Sequence, residues 1–336
     1  MMNEKNVKNH RKNPKISVML LTYNRAKLVS RAIKSVLDQT FKDFELVIVN
    51  NAAQDNTDEV IKPFLIDPRI VYKKLDKNIG PFGGINTILD MVSGKYIINV
   101  ADDDELLPNA LQTISDNFDK FEPQGIKILW FDCLDAETQK YSGKGIRKEG
   151  PITYEDYLCN KFQGDYQVIM SIEAIGEKRF DQNAWGGMTT VFNLRCHKGV
   201  KAYYIPKVIE KLYREHGESR ISTPETSLLN HIPKIILSMK IFLKEFGEEI
   251  KKICPKCYGP RLASLGFYQI LNGEKKDGRN NILKSFKYNF SLFHFSIFLF
   301  SFILDKEQIK ILCSRFFLAR KIIKNFFGKL NKPVRV

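Results

Sequence analysis

The residues Ile97-Ile98-Asn99-Val100-Ala101-Asp102-Asp103-Asp104-Glu105-Leu106-Leu107-Pro108 join a short apolar run to three consecutive carboxylates. Adjacent carboxylates repel one another, so a fold that keeps them together has a use for them. A hard divalent cation takes oxygen ligands of this kind and bridges them to phosphates. The carboxyl end of a strand in an α/β sheet is also where nucleotides bind. The competing account is an acidic turn leading into the N-cap and first turn of a helix, where Asp is favoured. Both readings are open on these residues alone.

The elements around the run bear on the choice. Ile16 to Leu21, Phe44 to Val49, Arg69 to Lys73, Tyr96 to Val100 and Lys127 to Cys133 are rich in β-formers. Between them lie helical patterns. Arg25 to Gln39 pairs Leu28/Val29, Ala32/Ile33 and Val36/Leu37 on one face, and Asp55 opens a helix ending near Pro63. Gly80 to Val92 and Leu106 to Phe121 complete the series. Strands alternating with helices predict βαβ units and a parallel sheet. Beyond Gly143 the pattern weakens. Met188 to His197 reads as a helix, Lys201 to Tyr213 as two strands broken at Pro206, and the chain from about Leu228 as helices.

Hydrophobic residues make up 43% of the 336 residues, enough for a real core and against a disordered chain. The net charge of +15 is unevenly placed. Residues 1–225 hold 32 Lys and Arg against 31 Asp and Glu, whereas residues 226–336 hold 21 against 7. An acidic partner therefore meets the C-terminal third. Met1 to Lys15 is polar and basic without an apolar core, so no secretory signal is expected. The six cysteines are then expected to be reduced thiols in the cytosol. Cys254-Pro-Lys-Cys257 lacks the second pair that a zinc site needs.

The order of segments resembles family 2 glycosyltransferases of the GT-A fold. Ile16-Ser17-Val18-Met19-Leu20-Leu21-Thr22-Tyr23-Asn24-Arg25 is similar to their opening strand and loop. Phe44 to Asn51, followed by Asp55-Asn56-Thr57, is similar to the second block. Asn78-Ile79-Gly80 with Asn86-Thr87 resembles the third, and the acidic run is the fourth, the DXD motif. Four blocks in order are far more specific than one motif. The resemblance is good to about residue 135, looser to about 222, and absent beyond. It implies an α/β fold of GT-A type with a mostly parallel Rossmann-like sheet, over residues 14–222. A disordered basic N-terminus (1–13) and a helical, basic, aromatic-rich region (223–336) flank it.

The resemblance also implies roles. Thr22, Tyr23, Asn24, Arg25, Asn50, Asn51, Asn78, Asn86 and Asp102 would face a nucleoside-diphosphate sugar, with UDP the favoured nucleotide. Asp103, then Asp104, would ligate Mn²⁺ or Mg²⁺. Asp55 is better read as the cap of its helix. The family often has Asp where Asn50 and Ala101 stand, and Arg where Ile85 stands. Its general base belongs to an acidic pair before a helix, which falls here on Gly187-Met188, neither able to take a proton. Asp181 and Glu173 are the nearby substitutes for that base, and Trp185 offers a flat face to an acceptor sugar. Arg214, His216 and Arg220 lie in a segment resembling the end of the family's catalytic domain and would reach the diphosphate.

Asn289 to Leu304 is a 16-residue stretch without charge, shorter than a spanning helix needs, and reads as a buried core helix, an interfacial helix or a re-entrant segment. Nine Lys and Arg follow it in residues 305–336, mixed with Phe316-Phe317 and Phe326-Phe327. Basic residues mixed with Phe predict association of residues 284–336 with an anionic membrane surface. The expected protein is thus an inverting, metal-assisted glycosyltransferase of hexosyl or N-acetylhexosaminyl type. It would work in polysaccharide biosynthesis at the cytoplasmic face of a membrane, on a lipid-linked or cell-surface glycan. A catalytically degenerate nucleotide-sugar binder is the first alternative. A basic nucleic-acid protein is the second, disfavoured by the near-neutral N-terminal part and by the lack of an RNA-binding signature.

Overall fold

A computed structural model describes residues 13–145, 147–214, 231–313 and 315. The chain forms two compact units. One comprises the residues up to Gln182 and Met188–Glu218; the other comprises Asn183–Gly187 and the chain from Ser219 onward.

The first unit runs β1 (Ile16–Thr22), α1 (Val29–Leu37), β2 (Phe44–Asn50), α2 (Thr57–Ile61), β3 (Ile70–Lys74), α3 (Gly80–Leu89) and β4 (Tyr96–Asn99). It continues with β5 (Glu105–Leu106), α4 (Ala110–Phe121), β6 (Ile126–Asp135), β7 (Lys144–Gly145), β8 (Gly150–Ile152) and α5 (Tyr154–Leu158). It ends with β9 (Phe162–Gln163), β10 (Tyr166–Ser171), α6 (Ile172–Ile175), α7 (Met188–His197) and β11 (Lys201–Leu212). The main sheet has the order β3-β2-β1-β4-β10-β6-β11-β5, with β8 also on β11. β1 pairs in parallel with both β2 and β4, so the order reverses there and a crevice opens at the carboxyl ends of these strands. β10 runs antiparallel to both of its neighbours.

The apolar pattern explains the layers. β2 is buried along its whole length, as expected for a strand covered on both faces. α1 buries Val29, Ala32, Ile33 and Val36, one stripe of its surface. α4 turns Leu111, Ile114, Phe118 and Phe121 inward, and Phe118 stacks on Tyr96 of β4 with ring centroids 3.7 Å apart. Each such side chain contributes roughly 1.5–3 kcal/mol on burial.

Two expectations need correction, and one strand is not foreseen by the sequence. The segment from Leu106 is not helical at its start: Glu105–Leu106 pairs with β11, and α4 begins at Ala110. Lys201–Leu212 is one strand, because a register shift between Ile205 and Val208 accommodates Pro206. β10, for which the sequence shows no clear signal, enters the centre of the sheet.

The second unit contains α8 (Ile232–Ile253), α9 (Pro255–Asn272), α10 (Lys275–Ser285) and α11 (Leu292–Ile303). Ile232, Ile236, Leu265, Ile270, Ile282 and Ile297 share its core. The cysteines of the described residues are all free thiols, and Cys254 and Cys257 hold their sulfurs 3.1 Å apart. Among the described residues, no helix is long and apolar enough to cross a membrane.

Candidate active site

The acidic run forms a turn at the carboxyl end of β4, closed by the Asp104 N–H donating to the Ala101 carbonyl (3.2 Å). Asp102 points inward. Burial pushes its carboxyl up to about 6, and the Asp103 charge adds to the rise, against the pull of the Thr22 hydroxyl, Arg25 and the Tyr23 N–H. Arg25 Nε lies 3.4 Å from Asp102 Oδ1. Asp104 Oδ1 accepts from the Tyr213 N–H (2.9 Å), and the Tyr213 hydroxyl donates to Glu105 (2.7 Å). Arg31 lies over the Tyr213 ring, 3.6 Å from its centroid, and donates to the Asp103 carbonyl. The turn is therefore fastened from α1 and from the end of β11.

Behind the turn sits Glu210 of β11, buried, accepting from Gln167 (2.8 Å) and from the Cys133 thiol (3.5 Å). Burial, then the charges of Asp104 and Asp165, raise its carboxyl far above the usual carboxylate range. A buried acid thus backs the acidic run. No signal in the sequence marks it, since Glu210 lies in a strand that otherwise reads as an ordinary alternation.

The first three blocks meet at the same edge. Asn24 adopts a left-handed conformation (φ 54°), and its Oδ1 accepts from the Gln54 N–H (2.7 Å). Asp55 accepts from the Ala26 N–H (3.1 Å) and the Thr57 N–H (3.1 Å), so it joins the first loop to the start of α2; the N-cap of that helix is Asn56, not Asp55 as expected. Asn51 donates to Asn78 Oδ1 and the Gly80 carbonyl (3.1 Å each) and accepts from the Ile79 N–H (3.1 Å). Tyr23 stands 40% exposed at the rim. Asn50 is fully buried, its amide donating to the Tyr72 hydroxyl (3.2 Å) and accepting from the Ala53 N–H (2.8 Å). It shapes the loop from inside.

Asp181 stands between Phe180 and Gln182, both of which lie against α3. Phe180 stacks between Phe82 (5.2 Å) and Phe192 (4.2 Å), and its backbone is held by Asn86. Gln182 lies against Gly83 in the first turn of α3. A cavity of about 220 Å³ opens beside Asn99, lined by Ile85, Phe180, Thr189, Phe192 and Asn193 among others. Asp181 adjoins its wall. Asn86 spends both amide groups on Phe180, so it positions Asp181's loop.

Glu173, Trp185 and Arg214 are each held by partners of their own, Arg214 directly after Tyr213 and within reach of the Asp104 charge. Glu173 follows β10, whose reversed direction carries it to the sheet edge opposite the acidic run, where it pairs with Lys127. This removes Glu173 from the base candidates. Trp185 belongs to the second unit: its ring lies 4.2 Å from that of His231, and its backbone N–H donates to the Ser238 hydroxyl (3.0 Å). Arg214 is held by Asp135 (3.1 Å) and by Asp165 and Ser142, a carboxylate cradle that keeps it cationic. His216 and Arg220 lie outside the described residues.

Among the described residues, no three His, Cys, Asp or Glu side chains converge as a metal cage. Mg²⁺ or Mn²⁺ takes hard oxygen ligands, often one or two carboxylates with phosphates and water. Carboxylates of this chemistry on the turn are Asp103 and Asp104, the latter also accepting from the Tyr213 N–H.

Comparison with known proteins agrees with this geometry. Residues 17–175 match the family described as Glycosyl transferase family 2. The GalNAc(5)-diNAcBac-PP-undecaprenol beta-1,3-glucosyltransferase of Campylobacter jejuni is 32% identical over 207 residues, covering 60% of this chain and 65% of that protein. The putative colanic acid biosynthesis glycosyl transferase WcaA of Escherichia coli is 39% identical over 102 residues, 30% of this chain and 36% of its own length. The chain thus spans just under two thirds of the first relative and about a third of the second. The crystal structure of S. aureus TarS 1-349 in complex with UDP-GlcNAc shares the fold, with a TM-score of 0.57 at 15% identity, over 81% of this chain and 89% of that one.

Proposed function

Because the chain belongs to glycosyltransferase family 2, we propose that it transfers a sugar from a nucleoside-diphosphate sugar, of UDP type, to a lipid-linked glycan, with inversion at the anomeric carbon. The observation that carries the reading is the acidic turn at the β1/β4 switch point, fastened by Arg31, Tyr213 and Arg25. The relative that acts on an undecaprenol-linked glycan supports the acceptor class, and the TarS complex supports the donor class.

In this reading Tyr23 stacks on the base. Asn51 and Asn78 hold the first and third loops around the nucleotide. Asp103 and Asp104 would hold Mn²⁺ or Mg²⁺, and the ion would supply positive charge to the departing diphosphate. The transferred sugar occupies the cavity beside Asn99. Asp181 takes the proton of the acceptor hydroxyl as that oxygen bonds to the anomeric carbon, opposite the breaking bond to the diphosphate. The enzyme works peripherally at the cytoplasmic face of the membrane, through residues 284–336.

Titration calorimetry with UDP, with and without Mn²⁺, tests the site beside an Asp103→Ala variant. Metal-dependent binding lost in the variant is the expected result. Binding of GDP or CDP instead would reassign the nucleotide, and no binding by any of them would overturn the reading. One observation favours the degenerate binder as a second reading: the first turn of α7 carries no acidic residue. Nucleotide binding without turnover on any acceptor would establish it.

A further inference from the structure

We infer that α11 is an in-plane membrane anchor, its outward Phe/Leu face seated among the acyl chains of an anionic bilayer and its flanking lysines on the headgroups. The inference deepens the proposed membrane association and rests on it; the structure adds which helix, which face and which orientation.

α11 is anchored on one side and bare on the other. Ile297 and Ser301 are buried, and Arg279 of α10 donates to the Ser301 hydroxyl (2.8 Å). Lys275 caps the last turn by donating to the Leu304 carbonyl (2.7 Å). The opposite side exposes Leu292 (75%), Phe295 (36%), Leu299 (47%), Phe302 (59%) and Ile303 (82%). These positions recur at the spacing of a single helical face. Phe290, 56% exposed, extends the patch ahead of the helix. A soluble surface tolerates scattered apolar residues, but a continuous patch of this kind marks an interaction site.

The occupant follows from length and charge. No Asp, Glu, Lys or Arg stands between Tyr288 and Leu304. Exposed Lys284 and Lys287 precede the helix; after it exposed Lys306 and Arg315 stand among exposed Asp305 and Glu307. Twelve helical residues extend about 18 Å, well short of a hydrocarbon core of about 30 Å, so the helix lies along the surface rather than across it. An uncharged aromatic face entered from a cationic flank complements acyl chains under anionic headgroups.

The test uses the full chain and vesicles of phosphatidylethanolamine with phosphatidylglycerol, beside neutral phosphatidylcholine vesicles. The double variant Leu299→Ser/Ile303→Ser alters exposed positions only, and circular dichroism checks its fold. We expect it to lose vesicle binding by about tenfold or more, while turnover on a water-soluble acceptor analogue stays within about twofold of the parent. A Phe295→Trp variant should be quenched more by lipids brominated near the headgroup than by those brominated near the bilayer centre. Unchanged vesicle binding by the double variant overturns the inference and leaves the transferase reading standing; loss of turnover in the parent does the reverse. Dimers that dissociate in the double variant, without vesicle binding by the parent, assign the face to a second copy. If the indole of the Phe295→Trp variant is shielded from soluble quencher in monomers without vesicles, the face belongs to the chain's own C-terminal segment. Either result also overturns the inference.

Discussion

Asn86 holds both backbone groups of Phe180: its amide donates to the Phe180 carbonyl (2.9 Å) and its oxygen accepts from the Phe180 N–H (2.9 Å). The pair ties α3 to the loop that carries Asp181, 94 residues away in sequence. An alanine there leaves two partly buried backbone groups unpaired, at a cost of about 1–3 kcal/mol each. Asn86→Ala should lower the thermal midpoint and reduce turnover at least about tenfold, because a misplaced base loses its geometry. UDP affinity should stay within about twofold of the parent if Asn86 acts only through the loop. Parallel calorimetry and turnover assays separate the two roles. A loss of UDP affinity matching the loss of turnover would return Asn86 to the nucleotide.

Asp181 and Glu173 were equal candidates in the sequence, and the direction of β10 separates them. Asp181→Asn should reduce turnover by about 10²–10⁴-fold, the range of a general base. Glu173→Gln should leave it within about twofold and cost little stability, since its pair with Lys127 is exposed. Equal and small effects in both variants would remove Asp181 from the chemistry.

The contrast between these carboxylates shows what the sequence conveys and what it withholds. The first three βα units were legible because apolar runs and helical stripes are local patterns. The acidic run was legible because its charge density is local too. β10 was not, because a strand's direction in a sheet is set by its partners. The buried state of Asn50 and the carboxylate cradle of Arg214 depend on Tyr72, Asp135 and Asp165, which no spacing brings together. Glu210 is the sharpest case: its burial is fixed by Cys133 and Gln167 from two other strands.

His197 provides a stability test that is independent of the chemistry. Its Nε2 accepts from Trp130 (2.9 Å), and its Nδ1 lies 2.7 Å from the Asn193 carbonyl. Burial lowers its pKa from 6.5 to about 4, so the folded state keeps it neutral where the unfolded chain protonates. Between these values the unfolded state binds more protons, and stability therefore falls as pH drops from 6.5 towards 4. The shift corresponds to a loss on the order of 3 kcal/mol. Urea unfolding of the parent and of His197→Gln across this range isolates the slope as their difference, because the raised carboxyls of Asp102 and Glu210 oppose it equally in both. His197→Gln should start from lower stability and lose less on acidification than the parent. An equal slope in both would place the titration elsewhere.

In the second unit, α9 and α10 approach so closely that glycine is required at both contact points. A Cβ on Gly266 would stand 2.5 Å from the Gly278 carbonyl oxygen, and one on Gly278 would stand 2.6 Å from that of Gly266. The obstacle in each case is helix backbone, which cannot rotate aside as a side chain does. Helix propensity alone favours alanine over glycine by about 1 kcal/mol, so an unopposed substitution would stabilise. Here the overlap should outweigh that gain. Gly266→Ala is expected to destabilise by about 1–3 kcal/mol net, and Gly278→Ala similarly. The double variant should cost less than the sum, because the first substitution already separates the helices that the second would push apart. Denaturant titration of the two single variants and the double variant measures this directly. Strict additivity would show that each methyl group is absorbed locally and that the helices keep their spacing.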